Sequence, residues 1–313
     1  MHLLIPYASA TGDAATHTLA ELPLPHLSEL LGLLKPEGEA LGSDEFSLNT
    51  PLELTLAQLR GCTAPDGHLP TAAWDAPALP ATEPLAWARL SPIHLAVGSD
   101  QITALPPESL ALGEAESQEF FAALAELWPA SEGWSSHWLN SNAWLIAHPC
   151  LAGLSSASLD RVLHRHVDSW MPKPRRLRAL QNEVQMLLHE HALNQEREAR
   201  GALALNSVWI SGCGVDAGSR ALPEGLQMEH SLREPLLAGD WQAWSRAWTQ
   251  LDAGPIAQLL AQARQADAEP IKLTLCGERF AQCWHLPARP RLQRLWQSWL
   301  PPRADTAALL GAL

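Results

Sequence analysis

The stretch from Arg175 to Gly214 constrains the fold of this chain more than any other part of the sequence. Its first half repeats apolar residues at helical spacing, with polar residues between them. The apolar positions are Leu177, Leu180, Val184, Leu187 and Leu188, and the positions predicted on the opposite, polar face are Gln181, Asn182, Glu183, Gln185 and Glu190. We therefore predict an amphipathic helix that lies on a hydrophobic core.

The second half of this stretch predicts a strand that ends in glycines. Gly201 breaks the chain after the helix, residues 205–210 form a short apolar run, and Gly212 and Gly214 follow. Ligands of α/β proteins bind beyond the carboxyl ends of strands, so these glycines are a candidate pocket. No GKS or GxGxxG motif surrounds them, and the alternative is that they only let the strand turn sharply.

A set of residues in this stretch resembles a known family: His191, Asn194, Arg197, Gly201, Asn206, Trp209, Gly212 and Gly214. Their order is similar to a segment of the archaeal-type cofactor-independent phosphoglycerate mutases, which belong to the alkaline phosphatase superfamily. Segments 115–117, 143–145 and 167–172 follow in the same order as in that family's inserted domain. The motifs at 158–162, 180–188 and 275–279 also resemble an uncharacterised proteobacterial family, whose members are labelled phosphoglycerate mutase or RpfE-type regulatory protein.

The resemblance implies an α/β fold with an alkaline-phosphatase-like mixed sheet core, flanked by helices, and a smaller α+β inserted subdomain. We place the N-terminal part of the core at residues 1–84, the insertion at 85–174 and the C-terminal part of the core at 175–313. Within the insertion, the sequence pattern predicts two strands, a helix and a tryptophan-rich hairpin. Trp241, Trp244 and Trp248 recur at helical spacing, which predicts a helix over about residues 240–251 with its tryptophans in the core. A last helix is predicted over residues 289–299.

The resemblance also shows where catalytic and metal-binding residues would be expected. Where the superfamily has a metal-binding aspartate after its first strand, this chain has Pro6 and Tyr7, and no Asp-His dipeptide occurs anywhere. The nucleophilic serine of the mutases corresponds to the neighbourhood of Ser47 and Thr50. These are weak catalytic candidates, because a hydroxyl needs a base or a metal to activate it, and their alternative role is to cap the following helix.

A second metal-binding candidate is the set His164, His166 and Asp168. In an extended chain all three side chains share one face, whereas in a helix only His164 and Asp168 do. Chance spacing among the 13 histidines of the chain is the competing explanation.

A ligand pocket is implied around the predicted glycine turn. Arginine pairs suit phosphate or carboxylate, because a guanidinium donates two parallel hydrogen bonds. Ala143 stands where the mutases have an arginine that helps to hold the substrate phosphate. His94, inside a predicted strand, is either a core histidine or a pocket imidazole. The candidate ligand-binding residues are His94, His191, Asn194, Arg197, Arg200, Asn206, Gly212 and Gly214.

Charge and cysteine content exclude several classes of function. With 34 acidic and 21 basic residues the net charge is −13, which repels nucleic acid. Basic residues concentrate between 161 and 178, where they either balance acidic neighbours in solvent or contact a phosphorylated small molecule or an acidic partner. No apolar run could cross a bilayer, and five separated cysteines without a CxxC pair argue against disulfides. We expect a cytoplasmic protein with neither a membrane nor a nucleic-acid partner.

These observations favour a catalytically degenerate relative of the mutases, without a cofactor, that binds a phosphorylated or carboxylate small molecule or has a regulatory role. The first alternative is a metal-dependent phosphomutase or phosphohydrolase with a remodelled site, and it alone calls for a divalent metal ion. The second alternative is an interaction scaffold whose tryptophan-rich surface binds a protein partner.

Overall fold

The computed structural model describes residues 1–77, 85–265, 270–288 and 302–313. Its strands are β1 (His2–Ile5), β2 (Lys35–Gly42), β3 (Ala86–Val97), β4 (Ile102–Leu105), β5 (Ser135–Asn140), β6 (Ala143–Ala147), β7 (Ser207–Val215), β8 (Leu226–Met228), β9 (Lys272–Cys276) and β10 (Phe280–His285). Its α-helices are α1 (Asp13–Glu21), α2 (Pro25–Leu33), α3 (Pro51–Arg60), α4 (Thr71–Trp74), α5 (Glu114–Ala123), α6 (Arg175–His189), α7 (Ala192–Ala199), α8 (Arg233–Leu237), α9 (Trp241–Leu251), α10 (Ala257–Ala263) and α11 (Thr306–Gly311). The predicted helix over 289–299 lies outside the described residues.

The chain folds into two compact units, and the second is inserted into the sequence of the first. Unit 1 consists of Met1–Arg60 and Ala221–Leu313, and unit 2 of Gly61–Arg220. The insertion is therefore longer at both ends than the predicted 85–174. It includes α6 and β7, because their apolar side chains are buried in one core with those of β3 and β6.

Unit 1 is built on a mixed five-stranded sheet in the order β2-β10-β9-β1-β8. β1 runs parallel to β8 and β9, so the carboxyl ends of these three strands lie at one edge, whereas β10 is antiparallel to β9 and β2. Helices cover both faces, since Leu3 packs with residues of α2, α9 and α10 and Leu4 packs beside Leu52 of α3. The predicted α/β fold with a mixed sheet flanked by helices is thereby confirmed.

Two aspartate side chains fix the ends of two helices in unit 1. The side chain of Asp240 caps α9 by accepting the Ala243 N–H at 2.9 Å. Asp252, which is buried, accepts the Leu27 N–H at 2.8 Å and so places its negative charge at the N-terminus of α2. Trp244 and Trp248 of α9 are fully buried, as the tryptophan spacing predicts.

Unit 2 is built on an antiparallel sheet. β3 pairs with β4, β6 and β7, and β6 also pairs with β5. The β5–β6 hairpin lies on α5, where the indole N–H groups of Trp138 and Trp144 both donate to Ser117 Oγ at 3.0 Å. The predicted tryptophan-rich hairpin is confirmed.

The amphipathic character of α6 is also confirmed, with one correction. Leu177, Leu180, Val184 and Leu188 are buried as predicted. Gln181, predicted on the polar face, is fully buried as well. The buried stripe of a helix on a core is wide enough to include the position four residues after Leu177.

Two further features concern the chain as a whole. Within the four described ranges, no helix is both long and apolar enough to cross a bilayer. The cysteines are all present as free thiols.

Candidate functional site

Gly212 and Gly214 lie inside β7 rather than at its end, and a short helix covers them. The strand continues past both glycines and pairs with β3. Gly212 has φ +65°, and a Cβ atom there would come within 2.3 Å of Thr71 Oγ1 and 2.7 Å of the Ala72 nitrogen. Only glycine fits, because α4 packs directly on the strand backbone. The prediction that the strand ends here at an open crevice is wrong, since residues 70–72 occupy that space.

Arg197 is buried and has three acceptors within the protein. Its side chain is 1% exposed, and Nη1 donates to Glu116 Oε2 at 2.7 Å. Nε donates to the Leu203 carbonyl at 2.7 Å, and Nη2 donates to the Leu110 carbonyl. Arg200, which is 55% exposed, donates to the other Glu116 oxygen at 2.5 Å. The Arg197 guanidinium, which was predicted to bind a ligand, therefore links α7 to α5.

The two asparagines of the predicted pocket also bond to the backbone. Asn194 donates to the carbonyls of Leu188 and Leu205, at 2.8 and 2.7 Å, and accepts the Leu205 N–H at 2.9 Å. Asn206 accepts the Leu95 N–H at 2.7 Å and donates to the Leu95 carbonyl at 3.0 Å. Asn194 therefore closes the connection between α6 and β7, and Asn206 fixes the end of β3.

The two histidines have local partners too. His94 Nδ1 donates to the Ala204 carbonyl at 2.8 Å, which favours the core interpretation over the pocket imidazole. His191 Nδ1 accepts the Leu193 N–H at 3.3 Å as the N-cap of α7, and its ring centroid lies 5.3 Å from that of Phe120. The ligand-binding role of the predicted set stays a prediction, while each of its side chains has a structural partner.

Ser47 and Thr50 precede α3, and Thr50 caps its N-terminus. Thr50 Oγ1 accepts the Glu53 N–H at 3.2 Å, while Glu53 Oε2 accepts the Thr50 N–H at 3.0 Å. This reciprocal pair is a capping box. Ser47 Oγ donates to the Asp44 carbonyl at 2.8 Å. Helix capping, the alternative role of these hydroxyls, accounts for Thr50, whereas the Ser47 hydroxyl bonds within the turn before the helix.

The metal-binding candidates lie outside any cluster of potential metal ligands in the described part of the chain. His166 Nε2 lies 3.2 Å from Asp168 Oδ2, and both side chains are exposed. Within the described residues, which include His164, no group of three or more His, Cys, Asp or Glu side chains could hold a metal ion. Pro6 and Tyr7 follow β1 and supply no carboxylate. The residues present do not fit the two-metal centre of the alkaline phosphatase superfamily.

The carboxyl ends of β1 and β9 form the edge where an α/β sheet binds ligands, and the chain covers this edge itself. Both the backbone N–H and the hydroxyl of Thr11 donate to Glu278 Oε2, at 2.6 and 2.7 Å. A Cβ atom on Gly277 would meet Ser9 Oγ at 2.4 Å and the carbonyl carbon of Leu313 at 2.6 Å. The loop after β1 and the residues after α11 therefore pack over the strand ends.

A groove of unit 1 combines a cation, an indole ring and amides. It has a volume of about 640 Å³, lies along α1 and α9, and is lined by residues that include Glu21, Leu22, Trp241, Gln242, Arg246 and Gln250. A second groove of about 400 Å³ shares Arg246 and Gln250 with it. The Arg246 side chain is exposed, and no ion pair joins it to any residue that the structure describes. Gln242, Arg246 and Gln250 recur every four residues and so form one stripe along α9.

Comparison with known proteins gives distant structural matches only. The cofactor-independent phosphoglycerate mutase from Thermoplasma acidophilum DSM 1728 is 14% identical, and the match covers 100% of this chain and 95% of that chain with a TM-score of 0.35. The PH0037 protein from Pyrococcus horikoshii is 11% identical, and the match covers 98% of this chain and 91% of that chain with a TM-score of 0.47. No protein-family model and no curated protein matches the sequence. At this level of similarity, neither structure assigns an activity or a site residue to this chain.

The groove is the part of the site that sequence reasoning missed. The tryptophan spacing of α9 predicts only the face that packs on the core, whereas the groove lies along the side that carries Gln242, Arg246 and Gln250. The signal was the recurrence of Gln242, Arg246 and Gln250 at four-residue intervals on an otherwise uncharged helix.

Proposed function

We propose that this chain is a non-catalytic ligand-binding protein with a regulatory role, and that its ligand is a small molecule with a carboxylate or phosphate group. The observation that carries the proposal is the groove along α1 and α9, where Arg246 has no acidic partner among the described residues. Its volume of about 640 Å³ lies within the range of about 300–1,000 Å³ that ligand pockets occupy.

The chemistry of the groove suits such a ligand. The Arg246 guanidinium can donate two parallel hydrogen bonds to a carboxylate or phosphate group. Gln242 and Gln250, one turn to either side, add amide donors and acceptors for neighbouring polar groups. Trp241 and Leu22 offer apolar surface for the body of the ligand.

The charge of the groove limits the number of negative groups on the ligand. Glu21 lines the same groove, and the whole chain has a net charge of −13. A second or third negative group on the ligand would be repelled by this field. The groove therefore favours a molecule with one anionic group and an apolar or neutral remainder.

The residues found at the positions expected for metal ligands and for a nucleophile support a non-catalytic role. Phosphoryl transfer on this scaffold needs metal ligands that neutralise developing charge together with an activated nucleophile. The hydroxyl of Thr50 is committed to a capping box, and Tyr7 follows β1 where the superfamily has a carboxylate. The remaining candidates, His166 and Asp168, form an exposed pair.

Isothermal titration calorimetry tests the binding proposal. The probes are benzoate, 3-phosphoglycerate and inorganic phosphate, titrated into the full chain. We expect saturable binding of at least one probe, and loss of about tenfold or more in affinity for Arg246→Gln, since a charged hydrogen-bonding partner contributes about 1.5–3 kcal/mol. The matched control is Arg264→Gln, which removes the same charge from a residue paired with Glu29. If the two variants bind the probes with equal affinity, the groove is not the binding site.

A second experiment tests the enzyme alternative. The purified chain is analysed for bound metal and assayed for mutase and phosphatase activity with added Mn²⁺ or Zn²⁺. We expect neither stoichiometric metal nor turnover. Turnover that disappears in Thr50→Val, with the fold retained by circular dichroism, would establish the metal-dependent phosphomutase or phosphohydrolase instead.

A further inference from the structure

The N-terminal end of α6 carries a cluster of exposed cations. Lys173, Arg175, Arg176 and Arg178 fall within six residues, and all four side chains are exposed. Arg178 donates to the carbonyls of Pro172 and Lys173, but no ion pair joins any of the four to a residue that the structure describes. Acidic neighbours in the fold therefore do not balance this cluster.

The charges of α6 oppose its own helix dipole. The first turn contains arginines and no acidic residue, and Pro174 at the N-cap supplies no side-chain hydrogen bond. Glu183 and Glu190 lie towards the other end. Cations at a helix N-terminus and anions at its C-terminus each destabilise the helix slightly. The arrangement thus costs stability, and helix formation does not explain it.

The same face of the helix exposes a large apolar side chain. Met186 is 75% exposed. It lies eleven residues after Arg175 and eight after Arg178, so the three side chains project from one side of the helix. With a rise of about 1.5 Å per residue, Met186 stands about 12–16 Å from the two arginines along the helix axis.

We propose that this outward face of α6 binds an acidic segment of a partner protein. Carboxylates of the partner pair with Lys173, Arg175 and Arg176, and an apolar side chain further along the segment packs on Met186. This is the helix-face counterpart of acidic-motif recognition by arginine clusters. The proposal is independent of the groove along α9, because α6 belongs to the other unit.

A protein segment fits this face better than a nucleic acid does. The four cations lie within six residues of chain. With a net charge of −13, the surrounding surface would repel the rest of a polyanion within about one Debye length of 10 Å. A short acidic segment concentrates its charge on the cluster alone. It also supplies the apolar group that Met186 requires and that a phosphate backbone lacks.

Fluorescence anisotropy with the full chain tests the proposal. The probes are two fluorescein-labelled peptides, octaglutamate and octaglutamate extended by two leucines. We expect both to bind, with an affinity that falls as salt is raised, and the extended peptide to bind more tightly. Arg175→Glu/Arg176→Glu should lower both affinities by about tenfold or more. Met186→Ser should lower only the affinity of the extended peptide.

The double charge reversal is a sound test because it does not threaten the fold. Glutamates at a helix N-terminus are favourable, so the thermal midpoint of this variant should equal or exceed that of the wild type. The control is Lys35→Glu/Arg303→Glu, which makes the same change in net charge at two exposed positions of unit 1. Absence of peptide binding, equal loss in both double variants, or tighter binding of a labelled single-stranded oligonucleotide than of either peptide would overturn the proposal.

Discussion

Replacement of Arg197 by methionine separates a structural role of this arginine from a ligand-binding one. The guanidinium is 1% exposed and bonds to Glu116 and to the carbonyls of Leu203 and Leu110. Methionine keeps most of the side-chain volume but leaves the two carbonyls without this donor. It also leaves Glu116, which is 16% exposed, with Arg200 as its remaining cation.

The expected magnitude follows from these contacts. Breaking a buried ion pair by removing one partner costs about 3–5 kcal/mol. Because Arg200 still neutralises Glu116, we expect the lower end, about 3 kcal/mol. For a unit of about 160 residues this corresponds to a decrease of about 6–12 °C in the thermal midpoint. Removing Glu116 as well, in Arg197→Met/Glu116→Gln, should recover part of the loss, because the uncompensated carboxylate disappears.

Urea unfolding followed by circular dichroism measures the effect. Arg200→Met is the matched control, since its side chain is 55% exposed and contacts the same carboxylate. We expect this control to cost less than about 1 kcal/mol. If Arg197→Met unfolds at the same urea concentration as the wild type, the buried pair does not stabilise unit 2, and a reserved ligand-binding role becomes the better explanation.

Three further predictions concern Gln181, Gly212 and His2. Gln181→Met should raise the free energy of unfolding by about 1–3 kcal/mol, because neither polar atom of this buried amide has a partner among the described residues; a less stable variant in urea unfolding would contradict this. Gly212→Ala should cost about 2–4 kcal/mol, from positive φ and contact with α4, against about 1 kcal/mol for Gly201→Ala, where φ is also positive but the space is open. The two thermal midpoints, measured in parallel, check the difference. Burial, together with the nearby Lys272 ammonium, lowers the pKa of His2 from 6.5 to about 4. The unfolded chain therefore binds more protons between these values, and stability should fall as pH drops from 6.5 towards 4. His2→Gln should weaken that dependence, and an unchanged pH profile would count against it.

Local sequence patterns predicted the individual helices and strands better than the way in which these elements assemble into sheets and units. Apolar spacing located α6 and the tryptophans of α9, because a helix on a core must bury one stripe. The limits of the insertion were predicted less well. The strand formed by residues 207–215 joins an antiparallel sheet with β3, and no local pattern in a short apolar run distinguishes parallel from antiparallel pairing.

The candidate site shows a different limit. Glycine, asparagine and arginine are frequent both in ligand sites and in tight structural connections, because each has a backbone or hydrogen-bonding property that both uses need. Sequence alone cannot tell whether Gly212 gives access to a ligand or to a helix, since α4 comes from a segment about 140 residues earlier in the chain, as Thr71 shows. The capping role of Thr50 was predictable, because its partner Glu53 lies only three residues away.

The residues that resemble the mutase motif have one property in common, which is that each makes a contact that holds the fold of unit 2 together. Arg197 links α7 to α5, Asn194 closes the connection from α6 to β7, Asn206 holds β3, and Gly212 admits α4. Each of these contacts lies inside unit 2 and would be needed for the same fold whether or not a ligand were bound. The motif is therefore accounted for by folding, and its presence adds no weight to catalysis. Side chains without a structural partner are better guides. Arg246 in one unit and Lys173, Arg175 and Arg176 in the other meet that condition among the described residues. Because they lie on different units, one set can be altered without disturbing the other.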